Sequence, residues 1–399
     1  MWPYMIHFRL RTLTYLFIIF FLIYYYWHYI LQIDNIIGIH QLRQQYYSKN
    51  QLSLINFKHL LIACVLAAKQ GGYEVRKARE STTKNDNSKL GIHLKGKTRE
   101  GIDDILTNGD KRSNIVMVNS LLYTIPGIKI VSEENLPKGN DDADTDDMLI
   151  ELLNVEKFLK NPEYSTIPDD IDLNIDDLTI WIDPLDATKE YSENLTKFVT
   201  TMVCVARHNE PIIGVIHFPF ENDYDQSTYW ATKFGIDKRL LSEKFSRFND
   251  DGHHQDSNDN IRIIISRSHK GDVEKWIRAK QQQQKEENPT RTNLTFIEAA
   301  GSGYKTIELL KGHADIYLHK TYIKKWDICA PNVLIKYGHR HGRGHRGHRD
   351  SSGGTMTTLK GEKIDYSFQS DVFIKDGIFA TINPDLVNKW RDKMFLLNQ

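Results

Sequence analysis

A layered α/β fold is the class this sequence predicts, and three observations carry the prediction. Helix-period and strand-like segments alternate along the chain, which calls for helices packed on sheets. Clustered acidic residues stand at the ends of those segments, as in Glu133-Glu134, Asp183 to Asp186 and Asp327. The buried-type run Leu178, Ile180, Ile182 leads straight into Asp183-Pro184-Leu185-Asp186-Ala187-Thr188. That stretch reads as a strand ending in a sharp turn that enters a helix. The 399 residues include 52 basic and 52 acidic ones, for a formal charge of zero. A balanced chain sets up no global field for a nucleic-acid polymer or an acidic membrane face.

From the N-terminus, Leu13 to Ile30 is an apolar run with no Asp, Glu, Lys or Arg. As a helix it spans about 27 Å, close to the hydrocarbon thickness. Tyr24, Tyr25, Tyr26, Trp27 and Tyr29 crowd one end, where an aromatic belt belongs, and Arg9 and Arg11 precede it. The positive-inside rule then makes 1–12 a cytosolic tail, 13–31 an uncleaved signal anchor and 32–52 a lumenal stem. A cleaved signal peptide would want a shorter apolar core and small residues at the cleavage site. The remaining domain is expected over 53–390, with insertions near 137–177, 280–290 and 339–353.

Within that domain, Leu54, Ile55, Leu60, Leu61, Cys64, Val65 and Ala68 have helical spacing, and the helix is expected to end at Gly71-Gly72. Glu74 to Ser88 reads as a charged loop, and 113–131 as a helix followed by a strand. The acidic run Asp141 to Asp147 lacks the Gly and terminal Glu of a Ca²⁺ loop, so 137–177 reads as a solvated insertion. Val199 to Val205 and Ile212 to His217 read as strands joined by a polar turn at 208–210. Gln281 to Gln284 marks a low-complexity insertion. His339 to Arg349, rich in Gly, His and Arg, reads as a loop between a helix and a strand. Cys64, Cys204 and Cys329 follow no spacing pattern and are expected as buried free thiols. Asn194-Leu195-Thr196 and Asn293-Leu294-Thr295 make Asn194 and Asn293 glycosylation candidates.

The chemistry concentrates in four acidic places. Asp183 and Asp186 flank a proline that has no N–H for a sheet ladder. Two carboxylates and the intervening carbonyl can converge there, which suits a hard divalent cation. The other reading of the same residues is an Asp-Pro turn with Asp186 capping the next helix. Glu133 and Glu134 end a β-like run, Asp327 stands at a loop-to-helix boundary, and Asp110 closes a Gly-flanked acidic stretch.

The order Asp110, Glu133-Glu134, Asp183-Pro-Leu-Asp186-Ala-Thr188, Trp326-Asp327 resembles the inositol monophosphatase superfamily of Mg²⁺-dependent, lithium-sensitive phosphatases. Gly96 to Gly101, Ser266-Arg267-Ser268-His269 and Tyr322 to Ala330 resemble its Golgi-anchored branch, which acts on 3′-phosphonucleotides. The resemblance covers roughly residues 55 to 385. It implies an αβαβα sandwich of the inositol monophosphatase/fructose-bisphosphatase type and two or three Mg²⁺ ions. Glu133, Asp183 and the Leu185 carbonyl would hold the first ion, and Asp183, Asp186 and Asp327 the second. Glu134 would serve a third. Thr188 would polarise the attacking water with Asp110 as proton acceptor. Ala187, where the superfamily commonly has Gly, would bind phosphate through its N–H. Ser266, Arg267, Ser268, His269, Gly301 and Lys305 would line the nucleotide site.

The resemblance thus implies a single-pass type II Golgi phosphatase that converts adenosine 3′,5′-bisphosphate to AMP. Its partner is a small nucleotide bisphosphate and not a nucleic-acid polymer, with homodimer formation left open. The rivals are an inositol mono- or bisphosphate phosphatase and a membrane-anchored metal or polyanion binder built on the His-rich loop. An Asp110–Thr188 pair argues against the binder, since binding alone needs no water-activating dyad.

Overall fold

The computed structural model describes residues 53–81, 90–98, 101, 103–136, 153–241, 260–267, 273–285, 293–338, 353–383 and 386–387. The anchor at 13–31, the stem, the acidic run at 141–147 and the His-rich stretch at 339–349 lie outside them. Among the described residues no helix is long and apolar enough to cross a membrane.

After a short strand β1 (Leu54–Asn56), the first long element is helix α1 (Phe57–Glu80). Asn56 caps it, accepting hydrogen bonds from the N–H groups of Lys58 and His59 at 3.0 and 3.3 Å. The hairpin β2 (His93–Lys97) and β3 (Asp103–Leu106) follows, then α2 (Asn108–Thr124) and β4 (Lys129–Ser132). A further short strand, β5 (Asp172–Asn174), pairs with β1. Next come β6 (Leu178–Asp186), the single turn α3 (Thr188–Ser192), β7 (Thr200–Arg207), β8 (Glu210–His217) and β9 (Thr228–Thr232). The second half holds β10 (Asn260–Ser266), α4 (Val273–Lys285), β11 (Asn293–Ala299), α5 (Ser302–Leu310) and β12 (Ile316–His319). It closes with β13 (Ile323–Lys324), α6 (Lys325–Tyr337), β14 (Thr355–Thr358), β15 (Phe373–Ile374) and β16 (Ile378–Thr381).

Two five-stranded sheets result, ordered β4-β6-β7-β8-β9 and β11-β10-β12-β16-β14. The period-2 alternation of strand side chains assigns each face. On β6, Ile180 and Ile182 pack with α1 and α2, while Trp181 points the other way into a second core with α5 and α6. That second core also takes Ile264 and Tyr317 from the other sheet. The far face of the second sheet (Ile261, Ile263, Ile265) packs on Val273 and Ile277 of α4. The order is helices, sheet, helices, sheet, helix, as expected. Because β6 is covered on both faces, all nine of its residues are buried.

Four sequence expectations change. Helix α1 does not stop at Gly71-Gly72 but continues to Glu80, so Glu74 to Glu80 is helical. The glycines serve close packing. A Cβ on Gly71 would lie 2.3 Å from Met117 Sδ on α2, and one on Gly72 would lie 2.3 Å from the His217 ring. Of the predicted insertion, 153–177 belongs to the fold: Leu153, Val155, Tyr164, Ile167, Leu173 and Ile175 are buried against α1 and the first sheet. Gln281 to Gln284 continue helix α4. Finally, Cys204 on β7 and Cys329 on α6 form a disulfide across the sheet-helix interface, leaving Cys64 as a buried free thiol. No local spacing announces a pair separated by 125 residues. Only the packing of β7 on α6 brings them together.

Thiol titration of the denatured, unreduced protein should therefore find one reactive cysteine, where three would exclude the bridge. The Cys204→Ala/Cys329→Ala double variant should lose about 2–4 kcal/mol of stability in denaturant unfolding.

Candidate active site

The site begins with what Pro184 does to β6. Proline cannot donate to the ladder, and the β6–β7 pairing shifts register between Asp183 and Asp186. The bulge leaves the Pro184 carbonyl free to accept a hydrogen bond from Ser113 Oγ at 2.7 Å. Asp183 is buried, and its Oδ1 accepts from the Leu185 N–H at 3.2 Å. Its Oδ2 is buried with no hydrogen-bond partner among the described residues.

Parallel pairing of β4 with β6 brings Glu133 alongside. Ser132 pairs with Ile182, and the next residue donates Glu133 N–H to the Ile182 carbonyl at 3.1 Å. Asp327 enters from the first turn of α6, where its Oδ2 accepts from the Lys324 N–H at 3.0 Å. The carboxylate oxygens of Glu133, Asp183 and Asp327 then lie within 4.8 Å of one another. An all-carboxylate donor set with an orphaned buried oxygen fits a hard divalent cation. The resemblance divides these residues between two ion positions bridged by Asp183, and their convergence is compatible with that division.

Asp186 and Leu185 lie at the other end of the bulge. Asp186 Oδ2 accepts from the Gly303 N–H at 2.9 Å and from Thr200 Oγ1 at 3.2 Å. Gly301 has φ of 66°, and a Cβ there would come within 3.0 Å of Asp186 Oδ2, so glycine is required on both counts. Ala187 is also left-handed, with φ of 68°. The position explains the superfamily's glycine, since an L side chain in this region costs about 1–2 kcal/mol.

Asp110 sits at the third position of α2. Thr107 caps that helix, and Asp110 Oδ2 accepts from both the Thr107 N–H, at 2.7 Å, and the Thr107 hydroxyl. The other carboxylate oxygen, Oδ1, is 2.9 Å from Thr188 Oγ1, which is also 3.0 Å from the Leu185 carbonyl. One hydroxyl proton serves one acceptor at a time. When it points to Asp110, the Leu185 oxygen is released from it.

So many buried carboxyls repel one another. Burial first, opposed by the Thr107 hydrogen bonds, holds Asp110 up at about 7. Burial followed by the charge of Glu133 raises Asp327 to about 7. Asp186 is raised to about 6 by burial, opposed by the Gly303 N–H and Lys305. Asp183 is raised furthest, by burial and then by Asp186 and Glu133. Glu133 goes the other way. Burial works to raise it, but Lys324 and Lys95 outweigh that, with Nζ at 3.0 and 3.3 Å. Lys95 also holds Glu134 at 2.6 Å and lies 3.5 Å from Asp104.

The remaining predicted residues spread around one cavity of about 460 Å³, lined by Asp183, Asp186, Ala187, Thr188, Ser266, Gly301, Lys305 and Asp327 among others. Lys305 is buried, with its Nζ over the Tyr317 ring at 4.9 Å and its charge facing Asp186, Glu190 and Asp327. It neutralises the carboxylates from beneath. Arg267 lies outside the lining and pairs with Glu193 and Glu190 at 3.3 and 3.8 Å. Ser268 and His269 fall outside the described residues. Asn194 and Asn293 are both exposed, Asn293 at the start of the edge strand β11.

Lys95, Thr107, Thr200 and Tyr317 are site residues that sequence reasoning did not single out, whereas Ser302 belongs to the Gly301-Ser302-Gly303-Tyr304-Lys305 motif that the resemblance placed at the nucleotide site. Only Thr107 carried a local signal, the helix-capping spacing Thr107-x-x-Asp110. Lys95 reaches Glu133 across a hairpin, Ser302 Oγ hydrogen-bonds the Asp327 carbonyl, and Tyr317 reaches the cavity from the second sheet.

Residues 58–389 match the inositol monophosphatase family. Inositol monophosphatase 3 of Xenopus laevis is 37% identical over 350 residues, covering 85% of this chain and 84% of that protein. The Golgi-resident adenosine 3′,5′-bisphosphate 3′-phosphatase of Homo sapiens is 38% identical over 334 residues, covering 82% and 78%. Among solved structures, the extragenic suppressor protein suhB of Bartonella henselae shares the fold at a TM-score of 0.50 and 14% identity, covering 83% and 96%.

The raised carboxyls set a pH dependence for the metal-free protein. Asp110, Asp186 and Asp327 keep protons when folded that the unfolded chain loses near 3.8. Their contribution to stability is therefore full below that value and is lost as pH rises to 6–7. In chelator, the melting temperature should fall between about pH 4 and about pH 7, and excess Mg²⁺ should oppose the fall. A melting temperature that rises over this interval in chelator, or ignores Mg²⁺ at the upper pH, contradicts the electrostatic account.

Proposed function

This chain belongs to the inositol monophosphatase family and is a phosphoric monoester hydrolase, and we propose that it removes the 3′-phosphate of adenosine 3′,5′-bisphosphate. The products are AMP and phosphate. The observation that carries the reading is the Thr188–Asp110 hydrogen bond, 2.9 Å long, beside the Glu133, Asp183 and Asp327 carboxylates.

Glu133, Asp183 and the Leu185 carbonyl would hold one Mg²⁺, Asp183, Asp186 and Asp327 a second, and Glu134 would serve a third. When bound, such ions neutralise phosphoryl charge and lower the pKa of water. The protein's own part is proton management. Thr107 holds Asp110 Oδ2, which leaves Oδ1 aimed at Thr188. Thr188 Oγ1 gives its proton to Asp110 while accepting one from the attacking water. An Asp110 carboxyl near 7 suits that acceptor role at neutral pH. Ala187 and Thr188, which line the cavity, would serve as phosphate donors through their N–H groups. Ser266 and Arg267, with Ser268 and His269, would take the second phosphate remotely from the chemistry, where binding energy can position the reacting group. The exposed Arg267–Glu193 pair would give way to that anion cheaply.

A second reading has its own observation. A relative of 37% identity is named inositol monophosphatase 3. The same dyad would then act on an inositol phosphate, and the two readings separate by substrate.

For the cellular setting, we place the protein in the Golgi as a single-pass type II membrane protein with a lumenal catalytic domain. The Golgi names of its relatives and the Cys204–Cys329 bridge, suited to an oxidising lumen, support this. Protease added to sealed microsomes should spare the catalytic domain until detergent is added. Digestion without detergent rules the orientation out.

Kinetics test the chemistry. Thr188→Ala should lower kcat about 10²–10⁴-fold without lowering the melting temperature, and Asp110→Asn should do likewise. Near-normal turnover of Thr188→Ala in saturating Mg²⁺ would remove the dyad. The wild type should show a higher kcat/KM for adenosine 3′,5′-bisphosphate than for inositol 1-phosphate, and lithium should inhibit both reactions. The reverse preference selects the second reading.

A further inference from the structure

The proposed reaction leaves the nucleobase without a partner, and the structure offers one. Strand β15 pairs antiparallel with β13, with Phe373 directly opposite Lys324 and Ile374 opposite Ile323. Residues directly opposite in an antiparallel pair point to the same face. Ile323 and Ile374 are buried in the core. The other face therefore carries Lys324 and Phe373 together, and Lys324 reaches into the cavity to hold Glu133 at 3.0 Å.

Phe373 accordingly lines the same cavity, yet its side is 43% exposed, an open aromatic surface beside charged groups. Tyr322 stands next to it on the cavity wall, with ring centroids 6.4 Å apart and planes at 50°. The backbone under the ring is tied down. Phe373 N–H donates to Asp371 Oδ1 at 3.0 Å, and Lys325 N–H donates to the Val372 carbonyl at 2.9 Å. The backbone that carries the ring is thus held in register with the lysine that contacts Glu133. Phosphate and sugar hydroxyls have no use for a phenyl face, whereas a purine does.

We propose that Phe373, flanked by Tyr322, is the stacking platform for the purine of the substrate and so a specificity-determining residue. This rests on the 3′-nucleotidase reading and deepens it. Phosphate recognition stays with the carboxylate end of the cavity, and the platform adds an affinity that a base-free ester does not receive.

The test compares kcat/KM for adenosine 3′,5′-bisphosphate with that for glycerol 2-phosphate in the wild type, Phe373→Ala, Phe373→Leu and Phe373→Trp. Phe373→Ala should lower the ratio roughly 5- to 150-fold through KM, the range alanine substitution gives for base–aromatic stacking. Phe373→Leu, which keeps apolar volume without a π face, should behave like the alanine variant, and Phe373→Trp should restore the ratio. Inhibition by AMP should weaken in step, with inhibition by inorganic phosphate as the base-free reference. An equal loss on both esters, or a leucine variant that matches wild type, overturns the platform. A wild type that prefers the nucleotide while Phe373→Ala keeps the full ratio also overturns the platform but leaves the proposed function standing. A wild type with no preference for the nucleotide over inositol 1-phosphate overturns both.

Discussion

One missing hydrogen-bond donor organises this site. Pro184 lies near the C-terminal end of a fully buried strand, where every backbone group needs a partner, and it has no N–H to offer. The ladder with β7 gives way between Asp183 and Asp186, and the chain bulges there. A regular strand would place Asp183 and Leu185 on one face and Asp186 on the other. The bulge instead brings both carboxylates and the following helix turn to one cavity. Parallel pairing with β4 then delivers Glu133 at the adjacent strand end. Parallel neighbours end at the same edge of a sheet, so their terminal side chains meet.

The arrangement creates an electrostatic problem that the rest of the domain addresses. Asp183, Asp186, Glu133 and Asp327 line one cavity with Asp110 buried beside it, and Asp186, Glu133, Asp327 and Asp110 together raise the proton affinity of Asp183. Three lysines answer from three directions. Lys95 reaches in from the β2–β3 hairpin, Lys324 from β13 and Lys305 from beneath on α5. Backbone N–H groups and hydroxyls hold both oxygens of Asp110 and one each of Asp186 and Asp327, while Asp183 Oδ2 has no partner among the described residues. A lysine is a mobile point charge, so Lys95 and Lys324 can yield to a divalent cation, whereas the fixed donors at Asp186 and Asp110 preserve geometry.

Layering supplies the rigidity behind this. The two sheets sandwich α5 and α6, and α6 carries Asp327 two residues before the disulfide to β7. The same sheet carries Asp183 on the neighbouring strand. The bridge thus links the sheet and the helix that carry Asp183 and Asp327 through a covalent path. On the opposite face, Gly71 and Gly72 let α1 approach Met117 of α2 and His217 of β8 closely. That contact holds α2, and with it Asp110, against the sheet.

The sequence by itself determined the layered α/β class and proposed the chemistry-bearing residues that the fold gathers around one cavity. Glu133, Asp183, Asp186 and Asp327 stood out because each stands at an element terminus, the roles of Asp110 and Thr188 came from the family resemblance, and the spaced apolar run Leu178, Ile180, Ile182 marked β6. Local pattern misjudged whatever depends on a distant surface. Gly71-Gly72 looks like a helix stop until the neighbour it packs against is known. Residues 153–177 look polar until their few apolar side chains find α1, and two cysteines far apart in sequence look unrelated until β7 meets α6. Lys95, Thr200 and Tyr317 belong to the site only because tertiary packing carries them there. Tertiary structure likewise put Phe373 in register with Lys324, since strand pairing between distant segments is decided by the buried face they share and not by either segment alone.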